Sequence, residues 1–295
     1  MGIGRRKVVW VGLFVAALMA WDLGSALGVR GRPADPEASA ATLPSTGPLF
    51  ILVLGSDARP GTAVVRGRSD VMLIVGVNRA RKRATILGLN RDTWVSIPGH
   101  DDNRINAAMA YGGPALAVQT VRKVTGIPID AWMVTSFRGF ARMVNAVAGV
   151  LVDVPYPMFD PFSRAAFEPG WQRLDGTDSL SFVRDRHGVP SSVVSRTMNQ
   201  GNFTRNAWRQ YEAEYRRRHE RLRDWVRAGT DHLQTNLSMR QILSLAALAT
   251  RIPTTRVNVV VTPGRVGMVG AAEVVFLTEA SHRVFADLAD DGIIG

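Results

Sequence analysis

Leu49-Phe-Ile-Leu-Val-Leu54 is an unbroken apolar run that leads directly into Gly55-Ser56-Asp57. A strand without polar alternation has to be covered on both faces, so this run predicts an inner strand of a layered sheet, with polar groups at its end. Two more runs repeat the pattern. Asp70-Val-Met-Leu-Ile-Val-Gly-Val77 opens on a carboxylate, and Ala84-Thr-Ile-Leu-Gly-Leu89 runs into Asn90-Arg91-Asp92. Further on, patterns of period 3.6 alternate with short β-rich runs. Arg104 to Pro114 and Ala115 to Gly126 read as two helices, with Gly126 as a C-cap. Ala131 to Thr135 reads as a strand, Phe137 to Val147 as a helix and Val150 to Val154 as a strand. This alternation predicts an α/β class with helices layered on a sheet. Tyr156 to Pro169 reads as a loop, Asn206 to about Ala228 as one long charged helix and Ser238 to Arg251 as an apolar helix. Arg256 to Val261 and Glu273 to Leu277 read as strands, and a last helix begins near Val284.

The ends of such strands are where open α/β sheets bind ligands, and charged residues recur there. Asp57 and Arg59 follow the first strand, Arg68 and Asp70 open the second, and Arg91 and Asp92 follow the third. Two carboxylates from neighbouring strands suit Mg²⁺, which completes its shell with water and phosphate oxygens. The alternative is that each aspartate caps a turn or pairs with Arg59 or Arg68.

A second basic stretch runs from Arg184 to Gln200. Leu180-Ser181-Phe182-Val183 alternates as a half-buried strand does, which would project Arg184 and Arg186 from one face, where two guanidiniums suit a phosphate. Gly188 and Pro190 break the run. If a helix follows, Arg196 and Gln200 share one of its faces. A solvated loop is the competing reading. The arginines between Tyr215 and Arg223 read as a solvated helix face.

Across the 295 residues the formal charge is +11 and the apolar share 46%, enough for a core and a pull toward anionic partners. Nucleic acid, anionic lipid and phosphate-rich polymer all fit that charge. The N-terminus narrows the choice. Arg5-Arg6-Lys7 precede the uncharged apolar run Val8 to Trp21, which Leu23 to Val29 extend beyond Asp22. This predicts a cytoplasmic tail over 1–7, a signal-anchor over 8–28, a linker rich in Pro and Ala over 29–47 and an extracytoplasmic domain over 48–295. Cleavage near Gly24-Ser25-Ala26 is the alternative. Either way the domain lies outside the cytoplasm, which argues against nucleic acid. The chain has no cysteine, so it has no disulfide or thiolate metal site. It also lacks a Gly-x-Ser-x-Gly elbow, a P-loop and a dinucleotide fingerprint, and its histidines lack metal-ligand spacing.

Five ordered motifs, Leu52 to Arg59, Arg68-Ser-Asp70, Asn90-Arg-Asp-Thr93, Arg104 to Gly113 and Leu180 to His187, together resemble the LytR-CpsA-Psr family. The resemblance implies an α/β/α domain with a mixed central sheet. It implies a membrane-anchored, Mg²⁺-dependent phosphotransferase that moves a glycopolymer from a polyprenyl-pyrophosphate carrier onto peptidoglycan. Under it, Asp57 and Asp70 match metal-associated aspartates, and Arg91, Arg184 and Arg186 match arginines that contact the pyrophosphate. Arg59, Arg68, Arg104, Arg196 and Gln200 are further substrate-binding positions, with Arg104 replacing a residue that is often Lys. Family members usually carry an Asp-Phe-Gly-Arg-like run followed by Arg-Gln. Here that run falls on Val193 to Arg196 with Asn199-Gln200, or on Asn202 to Arg205 with Arg209-Gln210. The first register keeps the spacing, and both lack the usual acidic residue. That absence keeps a second reading open, a non-catalytic or regulatory binder of polyprenyl phosphates or anionic wall polymers.

Overall fold

The computed structural model describes residues 40–59, 61–186 and 192–295. The expected tail, the anchor and the linker up to residue 39 lie outside these residues, as do His187, Gly188 and Pro190. In chain order the strands are β1 (Pro48–Ser56), β2 (Ser69–Asn78), β3 (Arg83–Gly88), β4 (Trp94–Val95), β5 (Asn103–Arg104), β6 (Ala131–Ser136) and β7 (Val150–Val154). They continue with β8 (Met158–Asp160), β9 (Ala165–Phe167), β10 (Gly170–Leu174), β11 (Leu233–Thr235), β12 (Val257–Val261), β13 (Arg265–Val269) and β14 (Ala272–Phe276). The helices are α1 (Ala107–Thr125), α2 (Phe137–Ala146), α3 (Gly176–Arg184), α4 (Ser192–Arg217), α5 (Arg221–Thr230), α6 (Met239–Ala249) and α7 (Glu279–Asp291).

Six strands form the central sheet in the order β11-β6-β1-β2-β3-β12. β1 runs parallel to β6 and β3 parallel to β12, while β2 is antiparallel to both β1 and β3. So β6, β1, β3 and β12 all end on the same edge. The alternation of side chains then decides the layers. Phe50, Leu52, Leu54, Met72, Ile74 and Leu87 face a core shared with Ala108, Ala117 and Val121 of α1 and Phe285 and Leu288 of α7. Leu49, Ile51, Leu73, Val77 and Ile86 face the opposite core with Trp208 of α4 and Leu245 and Leu248 of α6. The apolar runs therefore sit in a mixed sheet between two helix layers, as expected. A third cluster, with Val144, Val152, Phe182 and Phe203, joins α2, α3 and α4 to β7.

Three expectations are corrected, the first being the loop over Tyr156 to Pro169, which carries the antiparallel pair β8 and β9. Leu180 to Val183 is not a strand but part of α3, begun by Asp175, whose carboxylate accepts from the N–H groups of Thr177 and Asp178 at 2.8 and 2.9 Å. Gly176 is required there, because a Cβ would meet the Ala141 carbonyl oxygen of α2 at 2.1 Å. Two of its buried positions, Ser179 and Ser181, are polar, so the sequence shows no apolar helical stripe to read. The charged stretch from Asn206 to Ala228 is also not one helix: α4 begins earlier, at Ser192, and ends at Arg217, before α5. The two helices expected between Arg104 and Gly126 do appear as a single α1 kinked at Gly112 and Gly113. Its first residue is Ala107, leaving Arg104 on β5.

Candidate active site

The shared edge of β1, β3 and β12 brings the predicted charges together. Past β3, Asn90 is buried and accepts from the Thr197 hydroxyl of α4 at 3.0 Å, which fixes the turn carrying Arg91 and Asp92. Arg91 pairs with Asp70 at the start of β2. Asp92 is the hub of the cluster. Arg91 Nε, Arg104 Nε and Arg196 Nη2 each lie 3.5 Å from its carboxylate. The Asp92 side chain is only 11% exposed, and that of Arg196 5%. Neither Arg91, Arg104 nor Arg196 makes a hydrogen bond from its buried Nε.

Backbone contacts hold this cluster from the far side. Asp92 O accepts from Val275 N at 3.0 Å, and Thr93 bridges to Val275. The Arg104 guanidinium donates to Glu273 O at 2.8 Å. The hairpin of β13 and β14 thus braces the arginines although it lies far along the chain.

The electrostatics differ from one arginine to the next. Burial works against the charge on Arg91, but Asp70 and Asp92 outweigh it and hold its pKa above the ordinary value. On Arg196 burial prevails, reinforced by Arg91 and Arg186 against Asp92 and Asp70, and its pKa falls to about 10. Arg186 is thereby placed within electrostatic reach of Arg196. A buried cation short of negative charge is matched to an anionic ligand.

The other expected positions are more dispersed. Arg184 is exposed on the last turn of α3, its Cζ 4.9 Å from the centre of the Phe137 ring at the start of α2. Arg184 and Arg186 therefore do not share a strand face; the C-cap Asp185 separates them at a helix end. Gln200 is buried and donates to Val183 O at 3.1 Å, tying α4 to α3. Arg59 and Arg68 are exposed beside the turn between β1 and β2. Asp57 Oδ1 accepts from Arg68 N at 2.7 Å, so this aspartate does cap the turn. Asp92 and Asn90 were visible in the sequence as members of the Asn90-Arg-Asp-Thr93 motif and Asn199 as the neighbour of Gln200, but without a role, and Tyr156 gave no signal there.

The LytR_cpsA_psr family profile matches residues 29–288. The chain belongs to the LytR-CpsA-Psr family. Among its relatives, the probable cell wall biosynthesis protein LcpB of Corynebacterium glutamicum is 33% identical over 164 residues, 52% of this chain and 39% of that protein. The polyisoprenyl-teichoic acid–peptidoglycan teichoic acid transferase TagU of Enterococcus faecalis is 31% identical over 190 residues, 63% of this chain and 61% of that one. The matched stretches thus span less than two thirds of these relatives. Bacillus subtilis TagT has the same fold, with a TM-score of 0.69 at 23% identity over 88% of this chain and 100% of that structure. A structure of TagT bound to LI-WTA superposes with a TM-score of 0.70, also at 23% identity and the same coverage.

Seen as a LytR-CpsA-Psr chain, the two registers after His187 separate cleanly. Arg196 and Gln200 fall on the buried face of α4 next to the arginine cluster. Gln210 instead clasps β7, accepting from Leu151 N at 2.9 Å and donating to Gly149 O at 3.0 Å. Arg196 takes its counter-charge from Asp92 on another element, at 3.5 Å. Asp57 directly follows β1 and Asp70 is the second residue of β2, and Asp57 N donates to Arg68 O, just before β2, at 3.0 Å. Each takes its hydrogen bond on Oδ1. Carboxylates are the donor type that Mg²⁺ takes alongside phosphate oxygens, and each of these two keeps its second oxygen outside those hydrogen bonds. Among the described residues no cluster of three or more His, Cys, Asp or Glu offers a denser metal site.

Proposed function

We propose that this chain is a membrane-anchored phosphotransferase that moves a glycopolymer from a polyprenyl-pyrophosphate carrier onto peptidoglycan. The observation that carries this reading is the convergence of Arg91, Arg104 and Arg196 on Asp92 at the sheet edge, with Asp70 beside them. A relative named as a teichoic acid transferase supports the reaction class, and the N-terminal basic and apolar pattern supports anchoring over residues 8–28 with the domain outside.

In this mechanism Arg91 and Arg196 hold the pyrophosphate oxygens, with Arg186 and Arg184 approaching from the end of α3. An acceptor hydroxyl on the wall sugar attacks the glycan-linked phosphorus. The new O–P bond forms as the bond to the lipid-side phosphate breaks, so polyprenyl phosphate leaves and the hydroxyl proton passes to solvent. The fixed guanidiniums stabilise negative charge that builds on the equatorial and bridging oxygens. Asp57 and Asp70 would hold Mg²⁺, which supplies Lewis-acid neutralisation of the pyrophosphate. Arg59, Arg68 and Gln200 flank the site, the first two at its exposed rim.

The test is release of polyprenyl phosphate from a polyprenyl-pyrophosphate glycan by the full-length chain, with and without Mg²⁺. Arg91→Ala and Asp70→Ala are expected to lower the rate by roughly a hundredfold or more, the scale of losing a charged transition-state contact. Turnover left unchanged in both variants would reject the site. Binding without turnover in the wild type would replace the enzyme with a lipid-binding protein.

A further inference from the structure

One buried polar group beside the third cluster has an unused donor. Asn199 on α4 is 1% exposed, and its Nδ2 has no hydrogen-bond partner. Its Oδ1 accepts from the Tyr156 hydroxyl at 3.3 Å, which turns the amide nitrogen away from Tyr156. A buried amide N–H without an acceptor costs free energy comparable to a lost hydrogen bond, so a native fold keeps one where a ligand supplies the acceptor.

Its position on α4 indicates what that ligand is. The buried Arg196, Asn199 and Phe203 and the partly buried Ala207 follow one another at helical spacing along one face. At the N-terminal end of this stripe stands Arg196 in the arginine cluster. At the other end Phe203 and Ala207 belong to the apolar cluster with Val152 and Phe182, Phe203 lying 5.1 Å from the ring of Phe140. Tyr156 packs against the same cluster. The stripe passes from cationic to apolar within about 10 Å of helix axis, and Asn199 marks the change. A prenyl phosphate has the same polarity, with an anionic head joined directly to a hydrocarbon tail.

We infer that Asn199, oriented by Tyr156, donates its Nδ2–H to an oxygen of the lipid-side phosphate of a prenyl-phosphate ligand, where the head meets the tail. This rests on the proposed reading of the site and adds a residue that selects a phosphate carried on a lipid. Tyr156 acts as the positioning residue. The usual family run has Arg before its Gln; with Asn there, this chain replaces a charge by a neutral donor at the head–tail junction.

The experiment measures binding of farnesyl phosphate, farnesyl pyrophosphate and inorganic pyrophosphate to the full-length chain in detergent by titration calorimetry. Asn199→Leu is expected to weaken both farnesyl ligands by about tenfold and by the same factor, since both carry the lipid-side phosphate. Asn199→Asp, of similar size but anionic, is expected to weaken them by roughly a hundredfold, a difference that a purely structural role would not produce. Tyr156→Phe is expected to give a smaller, parallel loss. Asn199→Ser provides the same comparison should the Leu variant not fold. Wild-type affinity for farnesyl phosphate in the Leu and Ser variants overturns the inference, as does a loss confined to the pyrophosphate. A wild-type chain that binds neither farnesyl ligand overturns the proposed function together with it.

Discussion

Two parts of this molecule are equally rich in arginine and use it in opposite ways. At the sheet edge, Arg91, Arg104 and Arg196 come from three distant elements and share the carboxylate of Asp92, with little solvent around them. Along the end of α4 and through α5, the arginines pair with neighbours in sequence. Arg216 meets Glu212 at 2.7 Å, Arg221 meets Glu214 and Asp224 at 2.7 and 2.5 Å, and Arg227 meets Asp231 at 3.6 Å. Here charge is neutralised locally and stays near water. The same residue type builds a converging cationic site in one place and an ordinary helix surface in the other. What separates them is burial and where the counter-charge comes from, not composition.

Removing the counter-charge tests the contrast most severely. Asp92→Ala would leave Arg104 and Arg196 without their carboxylate in a buried setting, with an expected cost of about 3 to 5 kcal/mol of folding stability. Asp224→Ala on α5 should cost under about 1 kcal/mol, because Arg221 keeps Glu214 and water. Denaturant unfolding of both variants measures the difference. Comparable losses would remove the distinction between the two regions.

A sharper form of the comparison adds an anion in place of removing one. Pyrophosphate at a hundred times its dissociation constant should stabilise the wild type by about 2.7 kcal/mol, read as a rise in Tm. Arg196→Met should abolish that rise, and Arg216→Gln with Arg217→Gln should leave it intact. The same Arg196→Met variant should be at least as stable as wild type without ligand, since burial and the neighbouring Arg91 and Arg186 disfavour its charge. The sign follows from linkage. With its native-state pKa lowered by burial to about 10, Arg196 is charged in both states at neutral pH, and the penalty is fully present. Only as pH climbs through about 10 does the native state release the proton ahead of the unfolded chain, and stability from this group then rises. Stability falling with pH there in the wild type relative to Arg196→Met would contradict it.

The contrast also shows what a sequence can carry. The apolar runs from Leu49 and Asp70 were legible because period-two burial on both faces leaves no polar alternation, and their charged ends marked the ligand edge. Arg91 and Asp70 were legible for the same reason. Asp92 was not legible as a hub, since Arg196 lies 104 residues away and only the packing of α4 on β3 brings it there. Nor was α3, where serines at the buried positions Ser179 and Ser181 left no apolar stripe and only the Asp175 cap marked its start. The break between α4 and α5 was hidden by an unbroken run of good helix formers.

That break supplies the smallest expected effect. Glu214 near the end of α4 accepts from Gln210, Arg221 and the Trp225 indole, joining α4 to α5. Burial alone would raise its pKa, but these donors outweigh burial and hold it below the ordinary value. A carboxylate with a depressed native pKa contributes stability that is present above its unfolded pKa of 4.5 and is lost as pH falls below it. Glu214 is partly exposed, so solvent screening limits the contribution to under about 1 kcal/mol. Glu214→Gln should therefore lower stability slightly at pH 7 and flatten the stability profile below pH 4.5, while pyrophosphate binding stays at the wild-type level. Loss of pyrophosphate binding in this variant would mean that the α4–α5 joint belongs to the site after all, and that the two arginine regions act as one.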